Sequence, residues 1–313
     1  MAIEYITPLS RAWQRMLSVL FRPFDLGLWL TLGFTAFLSE LLNSYGGFDN
    51  KIKQDRVGDL EEVLRLPLEA RDWLLEHPTW SKLIVIAVLM ALALIIFLLW
   101  LSSRGKFMFL DNVVQRRALI RQPWQEFREL AWSLWQWRLA IGLAIVALVG
   151  MLLYQAWQEL YHHYAVDMSV WTVLAIVLKT IVLLASLALI AAYVLLLQDH
   201  FIIPIMYKHR CPAGEAWRRF LTLHWDHLGS FILYGLFVLL LQVVVLAVVV
   251  FVGLMTCCLG FILLLIPYIG SVILLPITYA FRALSVEFLA QFGAEFAIEL
   301  VELPRPSGQV AHP

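Results

Sequence analysis

The sequence predicts an all-α integral membrane protein. Its six transmembrane helices are expected as three repeated units, each an amphipathic interfacial helix followed by a helical hairpin. Three observations lead there. Hydrophobic residues make up 62% of the 313 residues and charged residues 15%, where ordinary soluble domains hold about 45–50% and about 25%. Six stretches approach the ~20 apolar residues that a bilayer core of about 30 Å demands of a helix. A Trp-bearing block recurs at a fixed offset, the mark of a repeat. The same composition excludes a soluble enzyme and a disordered chain. The balance of 23 Lys+Arg against 23 Asp+Glu excludes the large basic footprint of a nucleic-acid binder.

The spans are expected at about 26–42, 83–102, 139–157, 170–197, 231–252 and 259–280. Their apolar runs are continuous rather than alternating, so helices are preferred to barrel strands. Span 1 is the shortest and ends at Ser39 and Glu40. It is read as a retained span rather than a signal peptide, because no A-x-A-like site follows it. Residues 1–293 form a single polytopic membrane domain, and residues 294–313, rich in Pro and Gly, form a flexible tail. The external loop 43–81 carries more acids than bases and alternates apolar residues at helical spacing, the pattern of a solvated surface helix.

Basic residues set the orientation. The N-terminal segment, the loop after span 2 and the loop after span 4 hold most of the Lys and Arg, whereas the links between spans 3 and 4 and between spans 5 and 6 hold none. The positive-inside rule then places both termini in the cytoplasm of a bacterial inner membrane.

The repeat appears when the chain is shifted by 93 positions. Trp124 meets Trp217, Phe127 meets Phe220, Trp132 meets Trp225 and Arg117 meets Arg210. The blocks PWQEFRELAW and AWRRFLTLHW each precede an odd-numbered span, and AWQRMLSVLF, with Trp13 and Arg15, is a fainter copy before span 1. Residues three and four apart share a helix face, and a helix rich in Trp and Arg suits the headgroup boundary. Candidate lipid or interface contacts are therefore Trp13, Arg15, Arg116, Arg117, Trp124 and Arg128, with Trp132, Arg210, Trp217, Arg218, Arg219 and Trp225. The competing reading makes these blocks the ends of the spans, with Trp in the interfacial belt. Three apolar run-ons, Arg104–Arg117, Asp199–Arg210 and Phe281–Gly293, are expected to pack with the blocks into one layer.

FRPFDLGLWLTLGF (Phe21–Phe34), RGKFMFLDNVV (Arg104–Val114), DHFIIPIMY (Asp199–Tyr207) and PYIGSVILLP (Pro267–Pro276) resemble a bacterial family of uncharacterised six-span proteins. That family is broadly similar to the YIP1-like proteins and to the membrane domain attached to some glycerophosphodiester phosphodiesterases. The resemblance implies the six-span fold over about residues 8–293 and no activity. The phosphodiesterase barrel has no counterpart in this chain.

Few residues suggest chemistry. Lys179 lies well inside span 4, where a Lys costs about 2.5–3.5 kcal/mol on insertion scales. It either pairs with an acid such as Glu40, in a polar mid-membrane site, or snorkels to the outer interface. Span 6 holds Pro267, Pro276, Gly260 and Gly270, which fit either a Pro-kinked helix or a transporter-like broken one. His209, Cys211, His224 and His227 do not match zinc spacing. His162, His163 and Asp167 read as interfacial, and Cys257–Cys258 as buried thiols. His200, His224 and Asp226 are the only set a hydrolase could use, and no nucleophile or nucleotide motif accompanies them. No catalytic residue, metal or cofactor is expected. The expected function is non-enzymatic: membrane organisation, or engagement of lipid or of a protein partner at the cytoplasmic face. The alternative is a transporter of a small solute or lipid.

Overall fold

The computed structural model describes residues 3–22, 24–41, 73, 75–166, 169–256 and 259–298. Most of the loop 43–81, Cys257–Cys258, Asp167, the His163 side chain and residues 299–313 lie outside the described residues. The described chain is helical, without a strand.

α1 (Ile6–Leu20) is amphipathic and buries Ala12, Met16, Val19 and Leu20 along one face. α2 (Leu26–Glu40) starts at Asp25, whose carboxylate accepts from the Gly27 N–H at 2.8 Å, satisfying a donor that the first turn would leave bare. α3 (Pro78–Gln115) starts with Pro, which lacks an N–H where none is needed, and ends at Arg116 in the left-handed region, φ 53°. The short α4 (Arg121–Glu126) leads into α5 (Arg128–Val166). α6 (Val170–Leu197) is capped by Ser169 and runs through a π-helical turn, Gln198–Ile202, into α7 (Ile203–His209). α8 (Ala213–Asp226) precedes α9 (Leu228–Met255). α10 (Leu259–Leu265), α11 (Pro267–Ile273) and α12 (Leu275–Leu289) complete the chain.

Four helical stretches, Pro78–Gln115, Arg128–His162, Trp171–His209 and Leu228–Met255, are long and apolar enough to cross a membrane. A bent pair, Pro267–Ile273 with Leu275–Phe292, makes a fifth if taken as one span. The expected span 4 coincides with α6. Span 1 corresponds to α2, whose 15 residues reach only about 22 Å.

Within the expected span 6 the helix is broken. Its residues form three helices, and α11 meets the last of them at 63°. Pro267 and Pro276 have no N–H to continue a ladder, and Ile266 is extended. Gly270 permits the fold-back, since a Cβ there would sit 2.5 Å from the Leu264 carbonyl oxygen. Tyr268 then donates to the Leu30 carbonyl at 2.9 Å, tying α11 to α2.

The Trp blocks also differ from one another. α1 and α8 are separate amphipathic helices ahead of α2 and α9. The middle block is split: Pro123 and Trp124 lie in α4, while Trp132 and Trp135 already belong to the long α5.

Burial is concentrated at one end of the bundle. Phe107, Phe109 and Leu110 of α3 pack with Phe201 and Ile203, with Phe220 of α8, Phe231 and Tyr234 of α9, and Tyr279 and Phe288 of α12. The three apolar run-ons and the α1 and α8 helices thus share one core. The remaining apolar lengths of α3, α5, α6 and α9 are exposed, an arrangement stable only in a hydrocarbon solvent. Charges bracket these lengths. Lys82 and Arg104, Glu159 and Arg138, and Lys179 and Asp199 are separated by 20 to 22 residues with no charge between, or about 30–33 Å of helix.

Candidate functional site

The packed end holds a polar cluster drawn from six elements. Lys106 of α3 places its Nζ 2.6 Å from Asp199 Oδ2, and the Lys106 side chain is 2% exposed. Asp199 sits in the π-helical turn, and Pro204 explains both the turn and the chemistry. An i→i+5 bond to the Asp199 carbonyl would have to come from residue 204, which has no N–H. That carbonyl is taken instead by Arg282 Nη1 of α12, at 2.5 Å. Arg138 of α5 donates to Ser102 Oγ and Ser103 Oγ, each at 3.2 Å. Ser102 Oγ in turn donates to the Ser39 carbonyl at 3.1 Å. This bond, with Gly105 pressed against Leu38, joins α2 to α3 and fixes Glu40 beside the cluster. His200 Nδ1 lies 2.8 Å from the hydroxyl of buried Tyr234.

Three cations, Lys106, Arg138 and Arg282, are within electrostatic reach of the Asp199 carboxylate. Lys106, Arg282 and Asp199 all act on Glu40. Glu40 makes no hydrogen bond among the described residues. Asp199 Oδ1, both amide atoms of Gln198 and the Tyr193 hydroxyl are buried without a partner, and buried polar atoms are rarely left so.

Above this cluster a cavity of about 990 Å³ opens between α6, α9 and α12. Small-molecule sites span about 300–1,000 Å³, so it is a large one. Glu40, Lys106, Asp199, His200 and Arg282 form its floor. One stripe of α9 forms a wall: Ile232, Gly235, Leu236, Leu239, Gln242, Val245, Leu246 and Val249, the i, i+3, i+4 pattern of a single helix face. The stripe covers about 25 Å of helix. Leu189, Ile190, Leu239 and Leu246 on its walls are exposed, so the cavity is a groove open toward lipid. Gln242 is its one polar wall residue on α9, and its amide makes no hydrogen bond among the described residues.

Lys179 lies elsewhere. Its Nζ is 2.6 Å from Glu159 Oε1, both side chains exposed, at the opposite end of the charge-free lengths. Of the two readings open for Lys179, pairing with Glu40 is not what the structure shows: the α5–α6 hairpin brings Glu159 to Lys179, and Glu40 belongs to the groove floor.

The candidate interface residues divide. Trp13, Arg128, Trp132, Arg218 and Trp225 are exposed. Arg15 is buried and donates to the Val114 carbonyl at 3.2 Å, and Trp217 is buried in the core. Arg117 is paired with Asp111 at 2.9 Å, and Tyr207 donates to the same carboxylate at 3.0 Å. Arg210, left-handed at φ 51°, pairs with Glu126 and covers the Phe127 ring. Arg219 pairs with Glu215 at 2.7 Å, which holds that carboxyl below its ordinary range. Trp124 is half-buried, with Arg104 lying over its ring and over that of Trp100. Arg116 caps α3 and is half-buried.

Among the described residues no three His, Cys, Asp or Glu side chains gather as metal ligands. His224 packs against Phe220 and Phe231, and burial pushes its imidazole down. His227 packs against Phe292. No hydrogen bond joins His200, His224 and Asp226. Burial pushes the Cys211 thiol up.

The model of one family matches residues 3–304. The chain belongs to DUF7544, a family of unknown function. No curated protein and no solved structure matches it.

The residues that sequence reasoning passed over are Lys106, Arg138, Asp199, Arg282 and Gln242. One signal was present. Lys106 and Asp199 stand 93 positions apart, the offset of the Trp repeat.

Proposed function

We propose that the protein is a non-enzymatic multi-pass membrane protein that holds a membrane lipid in the groove between α6, α9 and α12. The observation that carries this reading is a laterally open apolar groove ending on a charged floor. Such a shape matches an amphiphile standing in its own leaflet, chains along α9 and headgroup at the floor. The depth agrees: Arg104, Arg138 and Asp199 mark one end of charge-free helices about as long as the hydrocarbon is thick. The exposed Trp13, Trp132, Trp225, Arg128 and Arg218 suit the same boundary, each Arg near an anionic surface contributing about 1 kcal/mol.

The same proposal includes six crossings, with α2 and the broken α10–α12 segment as the two imperfect ones. It includes three repeated units, kinship with the YIP1-like proteins, and both termini cytoplasmic in a bacterial inner membrane. The ion pair between repeat-equivalent Lys106 and Asp199 supports the repeat.

The test is lipid retention. Protein purified in mild detergent is expected to carry bound phospholipid in native mass spectra. Leu239→Trp, which fills the groove from its wall, should abolish that lipid without lowering the melting temperature. Equal retention by the variant removes the groove from the reading. A second reading, passage of a lipid or small solute, is favoured by Gln242 midway along the groove and by the broken sixth segment. It predicts lipid flipping in proteoliposomes that Gln242→Leu stops.

A further inference from the structure

Resting on the lipid reading just given, we infer that the groove floor selects a phospholipid whose headgroup carries both a phosphate and a primary ammonium. Lys106 and Asp199 neutralise each other at 2.6 Å. Arg138, also within electrostatic reach of Asp199, gives its hydrogen bonds to Ser102 and Ser103 and does not line the groove. Arg282 and Glu40 remain. Both line the floor and both are part-buried. Each acts electrostatically on the other, yet no ion pair or hydrogen bond joins them among the described residues. Arg282 uses one N–H on the Asp199 carbonyl, and a guanidinium has five. Its remaining donors form the fork that suits a phosphate. Glu40 offers a carboxylate with no hydrogen-bond donor.

Arg282 and Glu40 each lack a direct ion-pair contact in an apolar groove, and a ligand carrying both opposite charges supplies both contacts together. A purely anionic headgroup would meet Arg282 and leave Glu40 facing a like charge. A quaternary ammonium brings the right charge but no N–H for Glu40, and its usual partner is a cage of aromatic faces. A primary ammonium brings three donors. The Tyr193 hydroxyl, buried without a partner, belongs to a residue lining the same groove.

The experiment uses the full-length protein equilibrated with mixed vesicles. These hold equal parts of phosphatidylethanolamine, phosphatidylglycerol and phosphatidylcholine with identical chains, and bound lipid is counted by native mass spectrometry. Phosphatidylethanolamine should be enriched about tenfold over each of the others, the worth of one charge-assisted hydrogen bond. Glu40→Gln should erase the preference over phosphatidylglycerol while lipid is still retained. Arg282→Lys should weaken all three. Stepwise N-methylation of the ethanolamine headgroup, tested on unmodified protein, should lower retention as each N–H disappears, and this arm does not depend on any variant folding. Phosphatidylglycerol or phosphatidylcholine bound as well as phosphatidylethanolamine overturns the headgroup inference and leaves the lipid reading standing. Retention of none of the three overturns the lipid reading itself.

Discussion

The Lys106–Asp199 pair allows a sharp test of the packed end. Its two members differ in what each leaves behind. Lys106→Met leaves Asp199 with Arg138 and Arg282 still in reach, so the carboxylate stays compensated. Asp199→Asn leaves three cations, Lys106, Arg138 and Arg282, with only Glu40 to balance them. Removing one partner of a buried pair costs about 3–5 kcal/mol, and replacing both by apolar groups is often close to neutral. Lys106→Met should therefore fall at the lower end, about 3 kcal/mol, and Asp199→Asn at the upper end, about 5 kcal/mol. Lys106→Met/Asp199→Asn should lose about 5–6 kcal/mol rather than the ~8 kcal/mol to which the two singles sum, a coupling of about 2–3 kcal/mol. The assay is thermal unfolding in one detergent, followed by size-exclusion fluorescence, with all variants run in parallel. At about 2–4 °C per kcal/mol the single variants separate by several degrees. Strict additivity in the double variant, or a milder loss from Asp199→Asn than from Lys106→Met, would refute the account of Asp199 as the hub of the three cations.

Three further outcomes are expected. Gly105→Ala puts a Cβ within 2.5–2.6 Å of Leu38 and Ser39 backbone and side-chain atoms; overpacking should cost about 1–3 kcal/mol, measurable as a lower melting temperature, and lipid retention should fall because α2 carries Glu40. Lys179→Gln breaks an exposed pair and should change stability by no more than about 1 kcal/mol, with lipid retention unchanged; a loss of retention would tie Lys179 to the site after all. Cys211, 5% exposed and pushed up by burial, holds less thiolate at neutral pH than a free cysteine, so in a Cys257→Ser/Cys258→Ser background maleimide labelling should be slow until the protein is unfolded and should not be restored by moderately alkaline pH.

Long apolar runs were legible because hydrocarbon imposes one rule on every residue they contain. The stretch expected at about 170–197 coincides with the helix α6 for that reason. Helices at α1 and α8 were legible from the three- and four-residue spacing of their large apolar residues, Trp13 and Met16 in one and Trp217 and Phe220 in the other. The middle block was not, because PWQEFRELAW carries the same face whether it ends in a turn or continues into a span. Only Phe127, which closes α4, makes the difference. Pro267, Pro276 and Gly270 announced a disturbed sixth segment, but a kink and a fold-back use the same residues. What separates them is the approach of Gly270 to Leu264 and the Tyr268–Leu30 bond, both tertiary.

The site was hidden for a different reason. Each of its charges looked ordinary in its local window. Lys106 and Asp199 sit in run-ons flanked by other polar residues, Arg138 at the foot of a span, Arg282 in the last helix. Lys179, the isolated charge that attracted notice, turned out to have an exposed partner one hairpin away. Isolation in sequence is thus a poor guide to isolation in space. A lysine surrounded by apolar residues on one helix can reach water by its own length, whereas one buried at a junction of several helices cannot. The better signal was the spacing: Lys106 and Asp199 stand 93 positions apart, the offset that aligns Trp124 with Trp217. The groove opens above this pair, with Gly235 and Ala192 contributing no bulk to its walls. A headgroup seated at the floor would complete the polar layer that Arg282 and Glu40 leave unfinished.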